Sequence, residues 1–291
     1  MTQEGNDILT LTGANDYTNG TTITAGTLQV GNGGTTGSAG SYAAGNAAIA
    51  DNSLLVFNRS DSVTVGNVIN GSGSLVQEGA GTLTLAGGTT YTGSTTVSNG
   101  TLIVGSSVGG DLDAYGGTLL VGGAGSVTNV SVGGNMNIAA GAVVATLNKS
   151  LSPSNTVYTV AGTLISSGGT LNLVNAGPAL VVGDTFTIFS EAVTGSALTI
   201  VSPGYTFANH LAVDGSVMVT GITGPPTLSF TKVGNSLQFS WTGGAKLQAQ
   251  TNSLSGGLRN NWGDYPGGST SPITVPITTN ASVFFRLVTT P

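Results

Sequence analysis

The sequence predicts an all-β chain, a parallel β-solenoid followed by a small antiparallel β-sandwich, on three observations. A stretch near the start recurs 74 residues later: from Leu9 to Gly31 against Leu83 to Gly105, 13 of 23 positions are identical without a gap. Repetition of this kind indicates stacked units that bury their apolar faces against one another. The composition is 39% hydrophobic and only 6% charged, with 48 glycines in 291 residues and no Gly-X-Y period, which excludes collagen and argues against disorder. Finally, short runs of Val, Ile, Leu and Thr are broken by Gly and Asn, and no segment carries a capped 3.6-residue apolar period.

Along the chain, residues 1–222 are expected to be solenoid. Gln3-Glu4-Gly5 recurs as Gln77-Glu78-Gly79, Tyr17-Thr18 as Tyr91-Thr92, Thr21-Thr22 as Thr95-Thr96, and Gly26-Thr27-Leu28 as Gly100-Thr101-Leu102. The glycine-then-apolar pattern continues at Gly117-Thr118-Leu119, Gly141-Ala142-Val143, Gly162-Thr163-Leu164 and Gly169-Thr170-Leu171. At about 20 to 30 residues per coil, about eight to ten coils are expected, in a rod of roughly 40 to 50 Å. The aromatic stretch from Phe186 to Phe207 suits the last coils, where the core must close. Residues 223–226 end in Pro225-Pro226 and are expected to be a linker, since proline supplies no backbone donor. In 227–291, Leu228/Phe230, Leu237/Phe239/Trp241, Leu247/Ala249, Ile273/Val275/Ile277 and Val283/Phe285/Leu287 alternate with polar residues, as in a sandwich buried on one face.

The scarcity of charge suits a stack. Like charges about 4.8 Å apart repel by roughly 0.9 kcal/mol even in bulk water, whereas Thr, Ser and Asn can form hydrogen-bonded ladders. The charge that exists is divided: residues 1–226 hold Arg59 and Lys149 against eleven acids, and 227–291 hold Lys232, Lys246, Arg259 and Arg286 against Asp264. There is no cysteine, no apolar run long enough to span a membrane, and no basic stripe for nucleic acid. Met1 stands where Leu75 stands in the second copy, so an upstream segment, with any export signal, is expected to have been removed.

The unit Gly81-Thr82-Leu83-Thr84-Leu85, Tyr91-Thr92-Gly93-Ser94-Thr95-Thr96-Val97, Asn99-Gly100-Thr101-Leu102-Ile103-Val104-Gly105 closely resembles the autotransporter-associated β-strand repeat. The first copy departs from it at Asn19-Gly20, where the repeat prefers Gly-Gly or Gly-Ser. The resemblance implies a right-handed parallel β-helix on the surface of a Gram-negative-type bacterium, with no catalytic residues to carry over. The tail, with Lys246-Leu247-Gln248-Ala249-Gln250, Thr251-Asn252, Trp262 and Phe284-Phe285-Arg286-Leu287, resembles a C-terminal module of secreted repeat proteins and glycosidases. No membrane-barrel strands precede Pro291, so an autotransporter in one piece is not expected.

Chemistry finds little to work with. His210, the sole histidine, lies near Asp214 and Ser216 without a nucleophile elbow, and a structural role is expected for it. Asp111 and Asp113 could pair as glycosidase carboxylates, but a solvated turn is the plainer reading. No cofactor or metal site is expected. A binding loop remains: Arg259, Trp262 and Tyr265 could contact a surface glycan or partner, unless Trp262 closes the small core. The leading expectation is a non-catalytic extracellular structural protein that polymerises head to tail into a surface filament. The acidic Glu4, Asp7 and Asp16 of one copy would meet Lys232, Lys246 and Arg286 of the next. The alternatives are a monomeric stalk or adhesin that binds glycan through its C-terminal module, and a polysaccharide-active β-helix enzyme.

Overall fold

The computed structural model describes residues 1–43, 45–123, 125–224, 228–241, 245–252, 258, 260–269, 271–277 and 282–289. They form two compact units, one of residues 1–202 and 207–218, the other of 203–206 and 219–291. The division falls inside the strands Tyr205–His210 and Ser216–Ile222, a few residues before the Gly/Pro segment that the sequence marked as a linker.

Unit one is a three-sided parallel β-solenoid. Its second side is a nine-stranded sheet running Ile8–Leu11, Thr27–Val30, Leu54–Phe57, Ser74–Gln77, Thr95–Val97, Leu112–Ala114, Met136–Ile138, Leu164–Ser166 and Thr194–Gly195, which makes nine coils. The third side has seven strands and starts later, at Val63–Val65. On the first side the strands Thr2–Gln3, Thr21–Ile23, Ile49–Asp51 and Ile69–Asn70 are followed by Ser107–Val108, Val130–Val132 and Tyr158–Val160. Thr89 joins the two groups, bridging to Ile69 and giving its hydroxyl to the Ser107 carbonyl at 2.8 Å. Alternation decides what goes inside. In Thr82–Leu85, Thr101–Val104 and Thr118–Val121, Leu83, Leu85, Leu102, Val104, Leu119 and Val121 are buried while their neighbours stay partly exposed. On the outer face Thr82, Thr101, Thr118, Ala142, Thr170 and Thr199 stand in register, so a threonine row is broken by a single alanine.

The two copies of the repeat occupy different sides of the solenoid. Gln3 and Thr21–Ile23 lie on the first side and Ile8–Leu11 and Thr27–Val30 on the second. Their counterparts Gln77 and Thr95–Val97 lie on the second, and Thr82–Leu85 and Thr101–Val104 on the third. The repeated residues therefore encode a corner rather than a side. Gln3 Nε2 donates to the Gly5 and Asp7 carbonyls at 3.1 and 3.4 Å; Gln77 Nε2 donates to those of Gly79 and Gly81 at 2.7 and 3.2 Å. The glycine of the next coil presses on the same carbonyls. A Cβ on Gly26 would lie 2.2 Å from Gly5 O and 2.5 Å from Asp7 O, and one on Gly100 2.3 Å from both Gly79 O and Gly81 O. Both glycines also have positive φ, 68° and 60°. The repeated tyrosine closes the remaining side, since Tyr17 and Thr21 share a hydrogen bond at 3.0 Å, and Tyr91 and Thr95 one at 2.6 Å.

An excursion between Val30 and Ile49 stands where the early coils have no third-side strand. Arg59 ties it down, donating to the carbonyls of Gly37 and of Thr35 (2.6 Å) while pairing with Asp61 at 2.7 Å. Tyr42 packs on Phe57 and its hydroxyl accepts from the Ala39 amide. At the other end an antiparallel sheet of Thr185–Thr187, Ser216–Ile222 and Tyr205–His210 replaces parallel stacking. The Gly215 carbonyl accepts from the Ile188 and Phe189 amides, and the Leu211 carbonyl from Val193, which closes the last coil over buried Phe186, Ile188 and Phe189. The short helix Leu211–Asp214 belongs to this closure and is the helix of the described residues.

Unit two holds two three-stranded antiparallel sheets. One runs Leu228–Val233, Ser236–Trp241, Ile273–Pro276; the other Gly263–Asp264, Ala245–Asn252, Ser282–Thr289. They meet through Phe239, Trp241, Ala245, Leu247 and Val275, with Tyr265, Phe285 and Leu287 packed against that cluster. The alternating residues named from the sequence supply this core, as a one-face-buried sandwich requires.

Three outcomes test this architecture. Gly100→Ala should destabilise by about 2–4 kcal/mol, because φ and the crowded carbonyls act together, while Gly105→Ala, with open space at its Cβ, should stay within about 0.5 kcal/mol. Gln77→Ala should cost about 1–3 kcal/mol by leaving the Gly79 carbonyl without its buried donor, although the Gly81 carbonyl keeps the Thr101 amide. Chemical denaturation checks both. The third concerns Asp51, which is 0% exposed, accepts from the Ser53 amide at 3.0 Å and leaves Oδ2 without a partner among the described residues. Burial raises its pKa to about 6, against the Ser53 bond that lowers it. The folded state thus keeps a proton that the unfolded chain releases near 3.8, so stability falls as pH rises from about 4 to about 6, by about 3 kcal/mol in all. Asp51→Asn should abolish most of that slope in thermal melts across this range.

Candidate functional site

Among the described residues, three places gather the polar side chains that the sequence marked as candidates for chemistry or binding. The first is the outer face of the second solenoid side. Asp111 Oδ1 accepts from the Asn135 amide at 2.7 Å and from its Nδ2 at 3.3 Å, and Asn135 Oδ1 accepts from the Thr163 amide and hydroxyl, both at 2.9 Å. Asp113 Oδ1 accepts from Asn137 Nδ2 at 2.6 Å. Asp113 lies within the strand Leu112–Ala114 and is 9% exposed, which corrects the reading of this pair as a solvated turn. Both carboxylates serve an interstrand ladder. Such ladders replace the like-charge stacking that would repel from coil to coil.

The second place is the closure at 205–218. His210 stands immediately before the helix Leu211–Asp214, and Asp214 Oδ1 accepts from the Ser216 amide at 3.0 Å. The Ser216 side chain first, and its amide second, hold Asp214 below the ordinary carboxylate range. Ser216 itself is 4% exposed, so its hydroxyl is not presented to a substrate. A groove of about 310 Å³ opens beside it, lined by Val193, Ser196, Leu198, Asn209 and Leu211 among others, with no titratable side chain in its wall.

The third place is the outer face of the sheet formed by Gly263–Asp264, Ala245–Asn252 and Ser282–Thr289. Because Leu247, Phe285 and Leu287 pack inward, Lys246, Gln248 and Arg286 point outward. Register sets Asp264 opposite Gln248 and Gln248 opposite Arg286. The three form a chain of contacts. Gln248 Nε2 donates to Asp264 Oδ1 at 2.8 Å, and Arg286 Nε and Nη2 donate to Gln248 Oε1 at 3.0 and 2.8 Å. Lys246 Nζ lies 3.6 Å from Asp264, and the Arg286 guanidinium lies over Trp262, 4.4 Å from the ring centroid. The Gln248 amide first, and Lys246 after it, hold Asp264 below the usual carboxylate range.

Of the residues named for binding, Trp262 lies against Arg286, which was named for a subunit contact, and Tyr265 turns inward, its ring 6.1 Å from that of Phe285. Arg259 lies outside the described residues. The core indole is Trp241, whose Nε1 donates to the Ala245 carbonyl at 2.9 Å; Trp262 is half-buried and is not among the residues of that cluster. Asp264 belongs to the same loop as Trp262, whereas Gln248 is not marked as a site residue by the sequence, although alternation around Leu247 and Ala249 puts it on the outer face. Of the residues named for a subunit contact, Glu4, Asp7, Asp16 and Lys232 are exposed. Among the described residues none of these four is in an ion pair, whereas Lys246 is paired with Asp264 and Arg286 is clasped by Gln248.

Residues 1–30 and 75–104 match the passenger-associated-transport-repeat family, the two copies whose corners are described above. The chain is also similar to the adhesin BmaC autotransporter of Brucella suis biovar 1 (strain 1330), 34% identical over 121 residues. That match covers 36% of this chain and spans about 4% of the relative's length. No solved structure matches. No helix among the described residues is long and apolar enough to cross a membrane.

The two tryptophans should separate in thermal unfolding of single variants. Trp241→Ala should cost about 3–5 kcal/mol as a core truncation. Trp262→Ala removes mainly the stacking with Arg286 and should cost about 1 kcal/mol.

Proposed function

We propose that this chain is a non-catalytic scaffold of passenger type, held outside the cell in an adhesin-like role. The carrying observation is the repeated corner: two copies of a passenger-associated repeat whose glutamine, glycine and tyrosine are all engaged in closing coils. The acids once weighed for glycoside cleavage support the same reading, since they are tied into an interstrand ladder. The relative is by its name an adhesin and an autotransporter, and this chain corresponds to a small part of it. A solenoid of mostly uncharged ladders gives length and rigidity, and leaves recognition to outward side chains and to the C-terminal unit.

Protease shaving and antibody labelling of intact source cells test the location, and adherence of beads coated with the purified chain tests the role. Surface cleavage, bead adherence and no release of reducing sugar from a polysaccharide panel are expected. Chain protected until lysis, or saccharide release by the pure protein, would overturn the proposal.

A narrower reading is a fibre of head-to-tail copies. The observation in its favour is that Glu4, Asp7, Asp16 and Lys232 are exposed and form no ion pair among the described residues, while the two ends of the chain carry opposite net charge. Charge would then steer the encounter, so added salt should slow assembly in light scattering far more than it dissolves finished fibres. Uniform monomers at high concentration in sedimentation would remove this reading.

A further inference from the structure

In unit two the outer sheet face carries a cation that is held in place without being neutralised. Arg286 uses Nε and Nη2 on a neutral amide oxygen, and its plane rests on the Trp262 ring. Among the described residues no carboxylate pairs with it; Asp264 is paired with Lys246 instead. Both contacts fix the guanidinium and neither cancels its charge, a combination that lowers the ordering cost of meeting an oxyanion. Nη1 makes no bond among the described residues, which leaves it for an incoming oxygen.

The same row ends in an acceptor. Asp264, 57% exposed at its side chain, sits one strand beyond Gln248, hence about 10 Å from the Arg286 strand at the usual strand spacing. A ligand lying across the three strands therefore meets a cation at one end and an anion that accepts hydrogen bonds at the other. An acidic peptide would bring carboxylates to Asp264 and be repelled there. A saccharide brings hydroxyl donors to that end, and only its acid group needs the cation.

We propose that Arg286, Trp262, Gln248 and Asp264 form a binding site for an acidic saccharide of two or more rings, its carboxylate on Arg286 and its hydroxyls on Asp264. This deepens the adhesin-like reading and rests on it for biological sense, but its test does not depend on display at the cell surface. The ring next to the acid lies along the indole, whose one face is taken by Arg286. The Gln248 amide first, and Lys246 after it, keep Asp264 ionised and so preserve it as an acceptor.

Binding of the purified full chain to oligogalacturonate, measured by calorimetry, tests the site. Fully methyl-esterified oligogalacturonate of the same length and polyglutamate serve as comparison ligands. Oligogalacturonate should bind, the ester should bind at least about tenfold more weakly, and polyglutamate should not compete. Arg286→Gln and Trp262→Ala should each weaken oligogalacturonate about tenfold or more, with unit-one melting unchanged. Asp264→Asn should weaken it less and admit polyglutamate. The ester comparison uses the unaltered chain, so it decides the matter even where a variant misfolds. Equal binding of acid and ester, competition by polyglutamate as strong as by oligogalacturonate, or no acidic saccharide bound at all would overturn the site. Failure here with shaving and bead adherence intact would leave the scaffold reading standing.

Discussion

Every coil of this solenoid has to turn a corner while the coil above it lies against that corner, and the carbonyls there decide which residues can occupy both positions. The carbonyls of Gly81 and Asp7 accept the Thr101 and Thr27 amides of the next coil at 3.0 and 3.1 Å, while those of Gly79 and Gly5 take no backbone amide among the described residues. The corner therefore needs a side-chain donor and a close approach at once. Gln77 provides the donor and Gly100 the room, on the same two carbonyls of Gly79 and Gly81. Gln3 and Gly26 do likewise with Gly5 and Asp7. A longer or β-carbon-bearing residue at the glycine would push the coils apart, and a residue without a donor at the glutamine would leave the Gly79 or Gly5 carbonyl unpaired. The glutamine and the glycine repeat in the sequence because of this pair of demands.

The rest of unit one follows from keeping the stack uniform. Inward positions are Leu, Val and Ile because successive strands present them at one level. Outward positions are mostly uncharged, with Thr, Ser and Asn alongside some apolar residues such as Ile103 and Leu120, because charges would be stacked at the strand spacing. Where acids do occur in register, as at Asp111 and Asp113, an asparagine from the next coil donates to them. Asp51 breaks this habit: it lies in register with Ile23, buried and with one oxygen lacking a donor among the described residues, which makes its ionisation costly at neutral pH.

Much of this architecture is legible in the residues. The glycine-then-apolar runs give the strands, and the alternation after the paired prolines gives the second unit, because both reflect a simple in-out period. The copies' displacement by one side is not legible, since a corner motif reads the same on any corner. Nor is the excursion held by Arg59, whose partners are backbone carbonyls far away in sequence. At the candidate site, Trp262 and Arg286 were visible as residue types. Their stacking, and the exchange of roles between Trp241 and Trp262, depend on which indole finds a carbonyl inside the sheet pair, and that is a property of packing. Gln248 was hidden for another reason, being an ordinary amide whose importance comes only from its two cross-strand neighbours.

The displacement of the two copies bears on how such a chain can lengthen. If the repeat filled one complete turn, duplication would have to preserve whole turns, and every copy would show its variable positions in one direction. A motif that specifies a corner can be reinserted after any side, so growth is counted in thirds of a turn. Copies then face outward in different directions around the axis, as those beginning at Gln3 and Gln77 do. A lineage extending such a stalk by copying would spread its tolerated substitutions around the whole circumference instead of accumulating them along one stripe.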